Sequence, residues 1–351
     1  MVSGAGLKVD GAVSSQLANV AGTASTLQRR GYDGCWTAEV AHDPFLPLTL
    51  AAEHTETLDL GTSIAVAFAR NPMNVANIGW DLQDYSRGRL IVGLGSQVRP
   101  HIEKRFSMPW SQPVRRMGEF VHAMREIWTC WRDGTRLRFE GDFYTHKLMT
   151  PMFTPEPHDY GFPKVFLAAV GEAMTEMAGE VADGVLAHAF TTKRYFEDVT
   201  IPALERGMAR SGRQRSNFQV SCPIFVVTGA DEGEVDEASV ATRKQIAFYG
   251  STPAYRKVLA LHGWGDLHDD LHRLSLAGEW DAMGTLIDDE ILDAFAVVAP
   301  IDKLAAKIRD RCDGLIDRVL IGFPRTIPEE AVCQVVREIR DPDGRLSEES
   351  S

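Results

Sequence analysis

Three short stretches hold residue types that can do chemistry. The first is Glu39-Val40-Ala41-His42-Asp43-Pro44, a histidine between two carboxylates. A histidine titrates near neutral pH, so His42 can give or take a proton next to a substrate. Its competing role is to hold the Asp43-Pro44 turn. The second stretch is Gly93-Leu94-Gly95-Ser96-Gln97, where glycines follow an apolar run and end in a hydroxyl and an amide. It lacks the third glycine and the close helix start of a dinucleotide fingerprint, so it is a weak Rossmann signal. The third is Ala168-Ala169-Val170-Gly171-Glu172, small residues that lead into a helix. Backbone N–H groups at such a helix start form an anion site, although an Ala-Gly run is also simply good packing. Lys193, Arg194 and Arg325 lie in loops as candidates for an anionic group, where a lone cation is usually only solvated. His188 closes an apolar run and is expected to face the same end of the fold.

All of these sit where strands stop, which makes the strands the elements to find. Leu7 to Val13, Tyr32 to Ala38, Leu58 to Phe68 and Leu90 to Leu94 read as the first four, separated by helices over Gln16 to Arg30, Pro47 to Thr57 and Asn74 to Tyr85. The fourth is apolar without alternation, as a strand buried on both faces should be. After a polar loop (97–113), an amphipathic helix runs from Val114 to Trp131, with Met117, Val121, Met124, Ile127 and Trp128 on one face. Asp133 to Thr150 reads as a β-hairpin around Gly141, and a Pro-rich connector delivers the chain to Val165 to Ala169. Strands over Gly184 to Ala187, Phe218 to Thr228 and Asp317 to Gly322 follow. A helical stretch from Glu232 to about Glu290 is inserted before the last of them.

Eight strands alternating with helices give an α/β fold, a (β/α)8 barrel with a β-hairpin insertion after strand four and a helical lid after strand seven. The expected organisation is one domain over 1–340, with insertions at about 97–113, 133–163 and 232–290 and a frayed polar tail over 341–351. In a parallel barrel, the ends where these strands stop are where chemistry is done.

The charge is −12, which argues against a nucleic-acid or anionic-membrane partner. The five cysteines (35, 130, 222, 312 and 333) have no CxxC spacing. This argues against a disulfide framework or metal site and for a reducing cytoplasm. No apolar run is long enough to span a membrane.

The order of motifs resembles the luciferase-like flavin and deazaflavin oxidoreductases, in particular the branch that uses coenzyme F420. The motifs are GYDGCWTAEVAHD, LGTSIAVAFARNP, RLIVGLGSQ, VFLAAVGEAMTEMAGEVADGV and DRVLIGFP, which together span nearly the whole chain. The resemblance implies a TIM barrel with a deazaflavin, or alternatively FMN, across its C-terminal mouth. It implies a cis peptide at Ser63–Ile64 against the back of the ring, with Ala65 and Val66 beside it. It further implies Gly95 close to the ring, hydrogen bonds from Ser96 and Gln97, and Ala169, Val170 and Gly171 at the cofactor's side chain or phosphate. Asp43 joins this cofactor-binding set, and Glu39 and His42 are the catalytic pair, Glu39 as an orienting carboxylate.

Two departures stand out. Family members place a histidine directly after the acidic residue, but here Val40 intervenes and the histidine is His42. Sugar-phosphate-oxidising members carry a glutamate where this chain has Val98. The activity implied is hydride transfer between F420 and a small carbonyl, alcohol or activated alkene. An FMN-dependent monooxygenase is the alternative, and a non-catalytic deazaflavin-binding barrel a second one. Family members often form homodimers, but no sequence stripe here marks an interface.

Overall fold

The computed structural model describes residues 6–341, so the frayed tail expected over 341–351 lies, beyond Asp341, outside the described residues. Eight parallel strands form a closed barrel: Lys8–Ala12, Gly34–Thr37, Asp59–Thr62, Leu90–Gly95, Lys164–Ala168, Gly184–Leu186, Gln219–Pro223 and Arg318–Leu320. Closure comes from the eighth strand beside the first (Lys8 opposite Arg318) and the third beside the fourth (Leu60 opposite Leu90). The expected fold is therefore the observed one.

Side chains alternate along each strand, and the register sets which of them point inward. Trp36, Ile91, Phe166 and Leu186 fill the interior, with Ile64, Ala168 and Leu320 packed against them. Below this layer lies a charged one. Arg318 is fully buried and donates to both carboxylate oxygens of Asp10 at 2.7 and 2.8 Å, and to Asp59 at 2.6 Å. Above it, the inward positions are small: Gly95 on strand four, Ala168 on strand five and Gly322 just past strand eight. His188, two residues past strand six, is the exception.

Two strands differ from their sequence reading. Strand three breaks at Ser63–Ile64, where the peptide is cis, resumes only at Ala65–Val66, and then turns through Ala67–Ala69. Strand seven does not run on to Thr228. Pro223 has no N–H to continue the ladder, and Phe225–Val227 leaves the barrel to pair in parallel with Ala296–Val298.

Both insertions are present. The hairpin pairs Phe139–Glu140 with Thr145–His146, and its turn is tied down by Glu119, whose carboxylate accepts from the N–H groups of Asp142, Phe143 and Tyr144. After strand seven come five helices, Glu232–Gly250, Arg256–Leu261, Gly265–Ala277, Trp280–Thr285 and Asp289–Phe295. They enclose a second apolar cluster around Phe190, Ile246, Leu259, Leu271 and Phe295. Among the described residues no helix is long and apolar enough to cross a membrane.

Candidate functional site at the barrel mouth

Strand two ends in Thr37, and the loop after it is held by one cation the sequence did not advertise. Arg70, at the end of strand three, donates through Nη1 to Glu39 at 2.5 Å and through Nη2 to Asp43 at 2.9 Å. Its guanidinium also lies 5.6 Å from the centre of the Phe45 ring. Glu39 uses the same carboxylate oxygen to accept from the Val66 N–H at 2.7 Å, and its side chain is only 8% exposed. Asp43 accepts from the N–H groups of Phe45 and Leu46 at 2.8 and 3.2 Å. Both carboxylates are therefore braces. Through Oε2 alone, Glu39 accepts from Arg70 and from the Val66 N–H, which fixes its orientation at the mouth, and Asp43 builds a turn. His42 lies between them, exposed and without a partner among the described residues. Arg105, from the loop after strand four, donates to the Val40 carbonyl at 2.6 Å and draws that loop over the same corner.

The expected cofactor-contacting residues do not all lie on one surface. Ala65 and Val66 are fully buried and face the core, whereas Ser63 and Ile64 are half-buried at the mouth. Gly95 pairs with Val66, and a Cβ on it would come 2.8 Å from the Ile64 Cδ1. The glycine is thus required by Ile64, which occupies the space a side chain would need. Gly93 is more confined still, because a Cβ there would fall 1.7 Å from the Thr62 carbonyl oxygen. Ser96 donates to the Gln97 carbonyl at 3.1 Å, and the Gln97 side-chain oxygen accepts from the Val98 N–H at 3.0 Å. The Gln97 amide N–H₂ is left without an acceptor among the described residues. Gln97 itself adopts a left-handed backbone, with φ of 58°.

On strand five, Ala169 is buried and its N–H donates to the Leu186 carbonyl. Val170 and Gly171 are exposed, and a Cβ on Gly171 would meet nothing within 4 Å. Gly171 caps the helix Glu172–Val181. Lys193 is directed away from the mouth, since its ammonium donates to the Asp310 carbonyl on the outer helix Ile301–Cys312, and Arg194 pairs with Asp198. Arg325 is exposed and has no protein partner.

His188 follows strand six by two residues and packs against the helical insertion. Burial lowers its pKa to about 4, so the ring is neutral at physiological pH. Two tyrosines from the helical insertion contact it, Tyr255 stacked at 4.8 Å and Tyr249 edge-on at 4.6 Å. The aromatic composition of the insertion hinted at such a wall, but not at which rings would reach strand six. Arg70 was missed for a similar reason, because its carboxylate partners lie 27 and 31 residues away. Among the described residues, no group of three or more His, Cys, Asp or Glu is placed to hold a metal.

Comparison with known proteins agrees with this architecture. The chain is 69% identical over 334 residues to an uncharacterized protein of Mycobacterium tuberculosis, covering 95% of this chain and 98% of that one. It is 24% identical over 303 residues to the 5,10-methylenetetrahydromethanopterin reductase of Archaeoglobus fulgidus, covering 84% and 86%. Its fold superimposes on the coenzyme F420 dependent tetrahydromethanopterin reductase of Methanopyrus kandleri with a TM-score of 0.76 at 20% identity, covering 96% and 99% of the two chains. The family model for luciferase-like monooxygenases matches residues 2–318, and the chain belongs to that family.

Proposed function

We propose that the protein is an F420-dependent oxidoreductase that moves a hydride between the deazaflavin and a small carbonyl, alcohol or activated alkene. The observation that carries this is the shape of the mouth. Inward positions at its level are Ala168 and Gly322, beside Gly95 with Ile64 packed on it, and a Cβ on Gly322 would meet nothing within 4 Å. Such a floor, above Trp36 and Phe166, suits a flat three-ring group. Ser63, Ile64 and the Gln97 amide would hold the ring, and the backbone at Val170 and Gly171 its polar side chain. An F420-dependent glucose-6-phosphate dehydrogenase and a putative coenzyme F420-dependent oxidoreductase among the relatives support the deazaflavin over FMN.

When bound, the deazaflavin supplies a two-electron hydride donor or acceptor. The chain's own part is to orient and to manage the proton. The Arg70 clamp fixes the loop that carries His42, and His42, exposed and unpartnered, gives or takes the proton that accompanies the hydride. Five free cysteines, four of them buried, agree with a reducing cytoplasmic setting.

The test is a titration with F420 and, separately, with FMN, followed by tryptophan fluorescence. Trp36 lies in the floor of the mouth, so a bound ring should quench it. Micromolar or tighter F420 binding with weak FMN binding is expected. The reverse preference moves the protein to the monooxygenase reading, which the family description favours. F420 binding without turnover on a carbonyl and alkene panel makes it a binding barrel. If neither cofactor binds, the proposal fails.

A further inference from the structure

His188 and the two tyrosines over it form a feature that the cofactor reading does not use. Along strand six, Gly184 and Leu186 face the barrel interior, and Leu186 belongs to the interior cluster. Alternation places His188, two residues further on, on that same face just above the interior layer. Its ring is held from three sides. The Phe190 N–H donates to Nδ1 at 3.0 Å, Tyr255 stacks on one face, and Tyr249 meets it edge-on. Phe190 in turn packs on Tyr255 and on Phe295, which ties the box to the helical insertion.

The hydrogen bond settles the tautomer. A ring nitrogen that accepts from a backbone N–H carries no proton, so in the neutral imidazole the proton is on Nε2. Among the described residues that Nε2–H has no acceptor, and the Tyr249 and Tyr255 hydroxyls have no partner either. Burial lowers the His188 pKa, and the contacts drawn to its ring come from a backbone N–H and two tyrosines. Every group in the box is therefore neutral, with one fixed donor and two hydroxyls set in aromatic walls.

We infer that His188 is a substrate-orienting residue whose Nε2–H binds the oxygen of an uncharged carbonyl or alcohol, with Tyr249 and Tyr255 as the wall for its apolar body. This deepens the oxidoreductase reading and rests on it for the reaction, though not for the binding. An anionic substrate would have to lose its hydration in a box that offers no cation, which is costly. A neutral ketone loses little, and its oxygen gains the waiting donor. The box thus selects against phosphorylated or carboxylated substrates.

The first test needs no cofactor. In apo-protein labelled with ¹⁵N-histidine, the His188 imidazole is assigned by its loss in His188→Phe. At pH 7 it should show the neutral Nε2–H form, and its Nε2 resonance should move on addition of cyclohexanone but not of cyclohexanecarboxylate. A protonated Nδ1, a charged ring, no response to the ketone, or an equal response to the carboxylate overturns the inference. Failure of the cofactor reading would instead appear in the fluorescence titration, so the two are separable. With F420 bound, His188→Phe should raise the KM for cyclohexanone about tenfold while the F420 Kd stays within about twofold, and His188→Gln, which keeps an N–H donor, should recover most of the loss. An unchanged KM in His188→Phe also overturns it.

Discussion

The two ends of the barrel are built on opposite rules. At the N-terminal end, Arg318 is sealed from solvent, and its guanidinium is committed to Asp10 and Asp59, with Lys8 bonded to Asp59 as well. Burial pushes the Asp10 carboxyl upward. On Asp59, burial acts in the same direction but is outweighed by Arg318 and Lys8, and its pKa is lowered. At the C-terminal end, His42, the His188 Nε2–H, the Gln97 amide, two tyrosine hydroxyls and Arg325 have no protein partner among the described residues. One end satisfies its polar groups and holds the fold together, whereas the other leaves donors free and small residues facing inward. The difference separates stability from chemistry along one axis, as parallel barrels generally do.

The largest expected effect comes from breaking the satisfied end. Arg318→Met leaves Asp10 buried without its partner, and denaturant unfolding should show a loss of about 3–5 kcal/mol. A loss well under 1 kcal/mol would mean the lower layer is not what holds the barrel. Next, His42→Ala should cut turnover about 10²- to 10⁴-fold with F420 affinity nearly unchanged. Its effect on stability should stay within about 0.5 kcal/mol, because the residue is exposed and unpartnered. Unchanged turnover removes His42 from the mechanism.

Glu39→Gln tests whether the mouth needs its brace. Loss of charge against Arg70 should cost about 1–3 kcal/mol by denaturant unfolding, with kcat falling less than in His42→Ala; the opposite order of kcat would make Glu39 the proton carrier. The smallest effect is in pH. His188 has a lowered pKa of about 4 in the fold, so the unfolded chain binds the extra proton first. Its contribution to stability is then constant above about pH 6.5 and declines as pH falls from there to about 4, the loss amounting to about 2 kcal/mol by pH 5. Unfolding midpoints of the wild type and His188→Phe should therefore converge on acidification, and parallel curves would mean that the box is wet.

Much of this was legible because it is local. An unbroken apolar run at Leu90 to Leu94, a helix over Gln16 to Arg30 that ends before Gly31, and a glycine between short alternating segments at Gly141 depend on neighbours in the chain. They predict strand, helix end and hairpin in turn, and the barrel follows from their order. The break in strand three was legible only through family resemblance, and the exit of strand seven was marked only by Pro223. Roles at the mouth were less legible. Glu39 and Asp43 look like chemistry in sequence, and the sequence did not show that Arg70 reaches both of them across two strands. Gly95 looks like a place for a ligand and is first of all a place for Ile64.

The sequence by itself determined the barrel, its two insertions and the strand ends where a site could form, since periodicity and turn residues act over a few positions. Tertiary structure alone decided which of the polar residues there are spent on the protein and which are left for a ligand. A carboxylate is committed or free according to the cation and N–H groups within about 3 Å of it, and those come from elsewhere in the chain.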